Sequence, residues 1–207
     1  RFSTQYHRVH RSIFSARADI KALQDACERK ITYGLQPLMS MLDAQGIPYD
    51  HGLIDEIWNR LLRCQTHSSA TLTDETNDYI QQETQNAYNL ITSQTVFLMK
   101  LLSLSVQKRE DGYPLLVCNT LPYTRTQTLH TTVQTGKPDF RILLDGKELP
   151  YTRAGTVKKN CGVLRKDIRD MDPKGYFYET EIILQIDHMK GLSYRTLYIQ
   201  DIDQPSV

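Results

Sequence analysis

The sequence has little net charge, no long apolar run and no closely spaced cysteine pair, and each absence excludes a class of protein. Its 207 residues carry a formal net charge of +1, which gives no electrostatic reason to expect binding to nucleic acid or to an anionic membrane. No apolar run approaches the roughly 20 residues that a membrane-spanning helix needs. The sequence begins with Arg1 and no apolar signal segment follows, so we expect no signal peptide.

The cysteines are too far apart to form a metal or redox motif. Cys27, Cys64, Cys118 and Cys161 contain no C-x-x-C pair, so neither a zinc ribbon nor a thioredoxin-like site is supported. Two of them fall in helical patterns and one in an apolar strand pattern. We therefore predict reduced, mostly buried thiols and a cytoplasmic location.

The first half of the sequence has the hydrophobic spacing of helices. A first long helix is predicted from apolar residues spaced by three or four, which would lie on one face: Ile20, Leu23, Cys27, Ile31, Leu35, Leu38 and Leu42. Gly34 and Pro37 should interrupt this helix. Asp50 is a plausible N-cap of a second helix, whose predicted apolar stripe consists of Leu53, Ile54, Ile57, Trp58, Leu61 and Leu62. A third helix is predicted from Thr73 or Asp74 onward, with an apolar face made of Ile80, Ala87, Ile91, Leu98 and Leu102.

Beyond Gly112 the hydrophobic period becomes two, as in half-buried strands. Residues 176–187 alternate most regularly, and Asp145-Gly146 predicts a hairpin between strands 140–144 and 148–152. We predict an α+β protein with an N-terminal three-helix bundle in residues 1–111 and an antiparallel β-sandwich-like domain in residues 112–207.

Four stretches of the sequence resemble glycoside hydrolase family 38, the α-mannosidases. Residues 7–21 resemble the H-R-S-x-x-S-x-R-x-D-L-K run that leads into the family's helical middle domain. Residues 61–69 and 73–77 resemble its L-L-x-x-Q-x-H-D-S…S-D-x-T-N loop. Residues 117–122 resemble its V-x-N-x-L-P entry into the first β-domain, and residues 145–150 its D-G-K-E-V-P hairpin. The order of these stretches matches the family along nearly the whole chain.

The resemblance implies a retaining, zinc-dependent α-mannosidase of which this chain is a fragment. The family's α/β domain, with its His-x-Asp zinc motif and two catalytic aspartates, has no counterpart in this sequence. Retaining hydrolysis needs two carboxylates about 5–5.5 Å apart, and we identify no such pair and no catalytic residue here. Asp167, Asp170 and Asp172 cluster in a Lys/Arg-mixed stretch typical of a solvated loop. We expect the fragment itself to be inactive.

The same resemblance implies a role for four residues. His67 matches the family's fourth zinc ligand, and the other ligands of that zinc would come from the α/β domain. Ser68 stands where the family usually has an aspartate that binds a sugar hydroxyl. His10 and Arg11 align with a substrate-facing region, so the implied substrate-binding set is His10, Arg11 and Ser68, and the implied ligand is an α-mannoside.

A second interpretation belongs to another class of protein. A non-catalytic helical and β-sandwich protein that binds carbohydrate or a protein partner has the same periodicities. The two interpretations make different predictions for the coding sequence before Arg1. It should contain a His-x-Asp motif if the chain is an α-mannosidase fragment and should lack one if the chain is a non-catalytic binding protein. The sequence leaves open whether the chain forms a homo-oligomer.

Overall fold

The computed structural model describes residues 16–65, 73–107, 110–160 and 175–203. These residues form helices in the first half of the chain and antiparallel sheets in the second, which confirms the predicted α+β class. The chain divides into two compact units that adjoin between Leu102 and Ser103. No helix in the described part is both long enough and apolar enough to cross a membrane.

The first helical segment contains a change of helix type. Helix α1 (Ala18–Lys30) continues through a π-helical segment (Ile31–Leu35) into helix α2 (Gln36–Asp43). The interruption predicted at Gly34 and Pro37 thus takes the form of a wider π turn that contains Gly34 and ends two residues before the proline, which lacks an N–H to donate. Buried along this segment, as their spacing predicted, are Ile20, Cys27, Ile31, Leu35, Leu38 and Leu42. Leu23 is only half-buried, and its neighbour Gln24 is buried instead.

Helix α3 (His51–Cys64) begins where the sequence predicted. The Asp50 side chain accepts a hydrogen bond from the Leu53 backbone N–H at 3.2 Å, which confirms the N-cap. The buried face consists of Ile54, Ile57, Leu61 and Cys64. Leu62 was placed wrongly in the apolar stripe, because one further residue turns it about 100° away from Leu61 and leaves it 57% exposed.

Helix α4 (Asp74–Ser105) is 32 residues long. Its buried apolar positions include all those predicted, Ile80, Ala87, Ile91, Leu98 and Leu102. Thr84 is also fully buried, and its hydroxyl donates to the Ile80 carbonyl at 2.8 Å, so its polar group is satisfied within the helix.

Helices α1, α3 and α4 contact one another directly. The Gln24 side-chain amide of α1 donates to the Cys64 carbonyl of α3 at 2.7 Å. The Cys27 thiol lies 3.6 Å from the Thr84 carbonyl of α4. Between α3 and α4, the Arg60 guanidinium lies 2.8 Å from the Glu83 carboxylate. Each pair of helices is therefore joined by a polar contact in addition to apolar packing.

The second unit contains seven strands in two antiparallel sheets. The strands are β1 (Tyr113–Asn119), β2 (Arg125–Thr135), β3 (Phe140–Leu144), β4 (Lys147–Glu148), β5 (Tyr151–Asn160), β6 (Tyr176–Met189) and β7 (Ser193–Asp201). One sheet has the order β1-β7-β3-β4 and the other the order β2-β6-β5. Both contribute to one apolar core: Val117, Phe140, Ile142, Leu197 and Ile199 from the first sheet, and Val133, Ile182, Leu184, Ile186 and Met189 from the second.

The predicted hairpin is only partly right. Asp145 and Gly146 have φ values of 52° and 75°, as a two-residue type I′ turn requires, and β3 pairs with β4 across them. The second strand was predicted to continue through Thr152, but β4 ends at Glu148 and Tyr151 begins β5, which pairs with β6 in the other sheet. Pro150 lies between these two strands and has no N–H for the ladder with β3.

Candidate functional site

The residues that the sequence singles out lie outside the described part of the chain. This applies to the predicted zinc ligand His67 and to the predicted substrate-binding residues Ser68, His10 and Arg11. Their roles stay predictions. The helices from which the two segments extend are described, however, and their geometry bears on whether the segments begin close together.

Three helix ends meet at one end of the helical unit, which we name the loop end. It consists of the start of α1, the end of α3 and the start of α4. Ile20, Cys64 and Ile80, one from each helix, form a cluster with exposed fractions of 2%, 2% and 5%. Segment 1–15 precedes α1 and segment 66–72 joins α3 to α4. Both segments that carry predicted site residues therefore extend from the loop end.

Polar contacts fix the chain on either side of segment 66–72. At the end of α3, the Gln65 side-chain amide donates to the Glu28 carboxylate of α1. At the start of α4, the Thr73 hydroxyl lies 2.8 Å from the Thr76 hydroxyl, and the Thr73 carbonyl accepts from the Asn77 backbone N–H at 3.2 Å. The segment thus begins and ends at positions held by the helices.

Arg17 connects the start of α1 to α4. Its guanidinium donates to the Asp19 carboxylate at 3.2 Å and to the Gln81 side-chain carbonyl at 3.2 Å. The hydrogen bond to Asp19 is the main reason that the pKa of Arg17 is raised, and Asp78 and Asp74 add to it. The same hydrogen bond lowers the pKa of Asp19. This contact was missed from the sequence, although Arg17 and Asp19 stand in the matching R-x-D run.

The described charges at the loop end are of both signs. Asp19, Asp74 and Asp78 lie near the Arg17 guanidinium, while Lys21 in the first turn of α1 and Arg63 in the last turn of α3 are basic. Within the described part of the chain, no three His, Cys, Asp or Glu side chains are grouped so that they could hold a metal ion. A metal bound here would therefore need ligands from residues outside the described ranges or from another part of the protein.

The three cysteines in the described ranges do not provide an additional reactive centre. Cys27 and Cys64 are buried and Cys118 is half-buried, which confirms the predicted burial. Burial raises the pKa of Cys27 and of Cys118 to about 11, and since the thiolate is the nucleophile and the metal ligand, these groups are inert at neutral pH. Cys161 lies outside the described residues.

Comparison with known proteins gives matches only among solved structures. No protein-family model and no curated protein matches the chain. A glycosyl hydrolase family 38 protein from Enterococcus faecalis matches 93% of the chain with a TM-score of 0.73 and 16% identity. An alpha-mannosidase from the same species matches 93% with a TM-score of 0.71 and 15% identity.

The chain has the fold of a segment of a family 38 glycoside hydrolase. The resemblance recognised in the sequence is thereby confirmed at the level of the fold. The chain spans 26% and 24% of the lengths of those two structures, about a quarter of each. The activity of a whole family 38 enzyme therefore enters below as a proposal.

Proposed function

We propose that the chain is part of a retaining, zinc-dependent α-mannosidase of glycoside hydrolase family 38. In this proposal the helical unit is the three-helix bundle of the family's middle domain, and the second unit is its first β-sandwich domain. The observation that carries the proposal is that the described helix ends bordering segments 1–15 and 66–72 adjoin at the loop end, combined with a fold that two family 38 structures share over 93% of the chain. The complete protein would hydrolyse α-linked mannosides in the cytoplasm.

His67 is the proposed zinc ligand of this chain. Zinc sites take at least three protein ligands, and imidazole nitrogen is among the preferred donors. Because the described residues contain no group of three ligands, the remaining ligands would come from the α/β domain that the resemblance implies. The metal, when bound, would hold sugar hydroxyls. His67 would thus link the helical unit to that domain.

The other proposed roles concern the sugar. Ser68, next to His67, would hydrogen-bond a hydroxyl of the mannoside through its own hydroxyl group. His10 and Arg11 would contact the substrate from the segment before α1, with the guanidinium supplying only donors. The two carboxylates that retaining hydrolysis requires would both come from the α/β domain, so this chain would position the substrate without performing the chemical step.

The coding sequence before Arg1 tests whether the α/β domain that the proposal requires is encoded upstream. The proposal requires a His-x-Asp zinc motif and a further aspartate, the nucleophile, in a domain encoded upstream. A start codon immediately before Arg1 would contradict it and would favour the non-catalytic binding protein.

The 207-residue chain provides a second test, because we predict that it is inactive alone. With one proposed ligand it should not retain zinc through dialysis, since a stable site needs at least three. It should also give no hydrolysis of an aryl α-mannoside above the buffer blank. Turnover that a chelator abolishes would show that the catalytic carboxylates lie in this chain.

A further inference from the structure

A pocket of about 490 Å³ lies in the second unit, remote in sequence from the proposed zinc- and substrate-binding residues. Strand β7, which lies between β1 and β3, contributes Tyr194, Thr196 and Tyr198 to its lining. These residues alternate with Leu197 and Ile199, which belong to the apolar core. The pocket therefore faces away from the core, on the outer side of the four-stranded sheet.

Two carboxylates also line this pocket, which we name the β7 pocket. Asp145 comes from the turn between β3 and β4 and Glu110 from the segment before β1, and the remaining lining residues are Arg195 of β7 and Ser105, Val106 and Gln107 at and after the end of α4. By the alternation of β7, the Arg195 side chain lies on the same face as Leu197 and not on that of Tyr194. The carboxylates supply only acceptors, while the tyrosine, threonine and serine hydroxyls and the Gln107 amide supply both donors and acceptors. A ligand that matches this lining must offer donors and acceptors close together.

This chemistry discriminates among ligand classes. The two carboxylates of Asp145 and Glu110 disfavour phosphate and other anions through charge repulsion. An apolar ligand would desolvate the charged groups without hydrogen-bonding them, which is costly. A sugar residue fits better, because its hydroxyls donate to carboxylates and accept from hydroxyl and amide groups. Its C–H faces can pack against tyrosine rings, which combine an apolar body with a polar tip. The volume lies in the range of small-molecule sites, about 300–1,000 Å³.

We propose that the β7 pocket is a binding site for a neutral sugar residue. The site is separate from the loop end and does not rest on the proposed mannosidase activity. It would hold a saccharide without hydrolysing it, with Asp145 and Glu110 accepting hydrogen bonds from the sugar hydroxyls.

The chain offers two substitutions that test this with little disturbance of the fold. Asp145→Asn removes the carboxylate charge, and because Asn-Gly suits a type I′ turn as well as Asp-Gly does, the positive φ of 52° is tolerated. Thr196→Val removes the hydroxyl and keeps the shape and the strand preference. The matched controls are Glu148→Gln on β4 and Thr132→Val on β2, which do not line the pocket.

The experiment is a titration of the isotope-labelled 207-residue chain followed by NMR. The probes are methyl α-mannoside, methyl β-galactoside and inorganic phosphate, each raised to high millimolar concentration. We expect at least one glycoside to shift the amide signals of Gly146 and of residues 194–198. Asp145→Asn should weaken that binding by about ten-fold, because the amide oxygen of asparagine still accepts a hydrogen bond but a weaker one than the charged carboxylate does, and the two controls should bind like the unaltered chain.

Three results would overturn the proposal. The first is the absence of shifts with both glycosides, and the second is shifts confined to signals away from the β7 pocket. The third is phosphate binding at the pocket without glycoside binding. None of these results bears on the proposed mannosidase, which is tested through zinc and hydrolysis in the complete protein.

Discussion

At the scale of a single residue, Asn119 provides a structural reason for the N-x-L-P pattern at residues 119–122. Its side-chain amide donates to the carbonyls of Tyr123, Met189 and Lys190 at 2.9, 3.1 and 2.9 Å. Its side-chain oxygen accepts from the Leu121 N–H at 3.2 Å. One buried side chain thus holds the turn after β1 against the turn between β6 and β7. The N-x-L-P part of the motif is therefore structural.

Gly191 lies at the contact between those two turns, so replacing it should affect stability more than replacing a glycine in open space. A Cβ atom at Gly191 would lie 2.4 Å from the Pro122 carbonyl carbon and 2.5 Å from the Tyr123 nitrogen, and backbone atoms have no room to move. Gly191→Ala should therefore lower the free energy of unfolding by about 1–3 kcal/mol. Gly155, on β5, has no atom within 4 Å of its Cβ position.

Gly155→Ala is accordingly the matched control, and it should leave stability unchanged or raise it by about 0.5 kcal/mol. Urea unfolding of both variants and of the unaltered chain, followed by circular dichroism, measures the difference. Equal midpoints for the two variants would contradict the close approach of the turns.

The buried thiols predict a loss of stability at alkaline pH. The pKa of Cys27 is raised from 9.0 to about 11 by burial, so in this range the folded protein keeps a proton that the unfolded chain releases. The contribution of the Cys27 proton to the free energy of unfolding is fully present below pH 9 and is lost as the pH rises toward about 11. The free energy of unfolding should fall by at most about 1.4 kcal/mol per pH unit from this group.

Cys27→Ala isolates this contribution from those of other groups that titrate in the same range. The free energy of unfolding of this variant should fall less between pH 8.5 and about 10.5 than that of the unaltered chain, even though the variant starts from a lower value because a cavity is formed. Parallel slopes for the two proteins would mean that Cys27 is exposed to solvent in the folded state.

At the scale of the elements, local sequence patterns predicted the buried faces and the starts of helices better than they predicted which strands pair. The apolar spacing correctly gave the buried face of α4, and Asp50 correctly gave the start of α3, because both depend on neighbours along one helix. The π-helical segment at Ile31–Leu35 was expected only as an interruption. The end of β4 was missed because the transfer of the chain to the other sheet at Tyr151 depends on pairing with β6, which no local pattern records.

The N-cap of α3 provides a prediction at this scale. Asp50→Ala removes the hydrogen bond to the Leu53 N–H and should lower the free energy of unfolding by about 1 kcal/mol. Asn59→Ala is the control, because Asn59 is exposed on the same helix and alanine there should be neutral or stabilising by up to about 0.7 kcal/mol. Thermal unfolding compares the two, and equal losses would show that the cap is not formed in solution.

At the scale of the whole molecule, the sequence and the structure contribute different parts of the candidate site. The residue types came from the sequence, since His67, Ser68, His10 and Arg11 stand in runs that resemble those of a known family. That their segments extend from a common end came only from the structure. Contacts such as Arg17 with Gln81 and Ile20 with Cys64 join residues far apart in sequence, and helical periodicity carries no information about which helix ends adjoin.

The most direct test of the account is the effect of His67→Ala in the complete protein. Losing one zinc ligand should lower zinc content and misplace the sugar, so kcat/KM for an aryl α-mannoside should fall by at least about 100-fold. The melting temperature should change little, because the apolar face of α3 ends at Cys64. His51→Ala, at the exposed start of the same helix, should match the unaltered protein in all three measurements. Full zinc occupancy with unaltered turnover in His67→Ala would contradict the account.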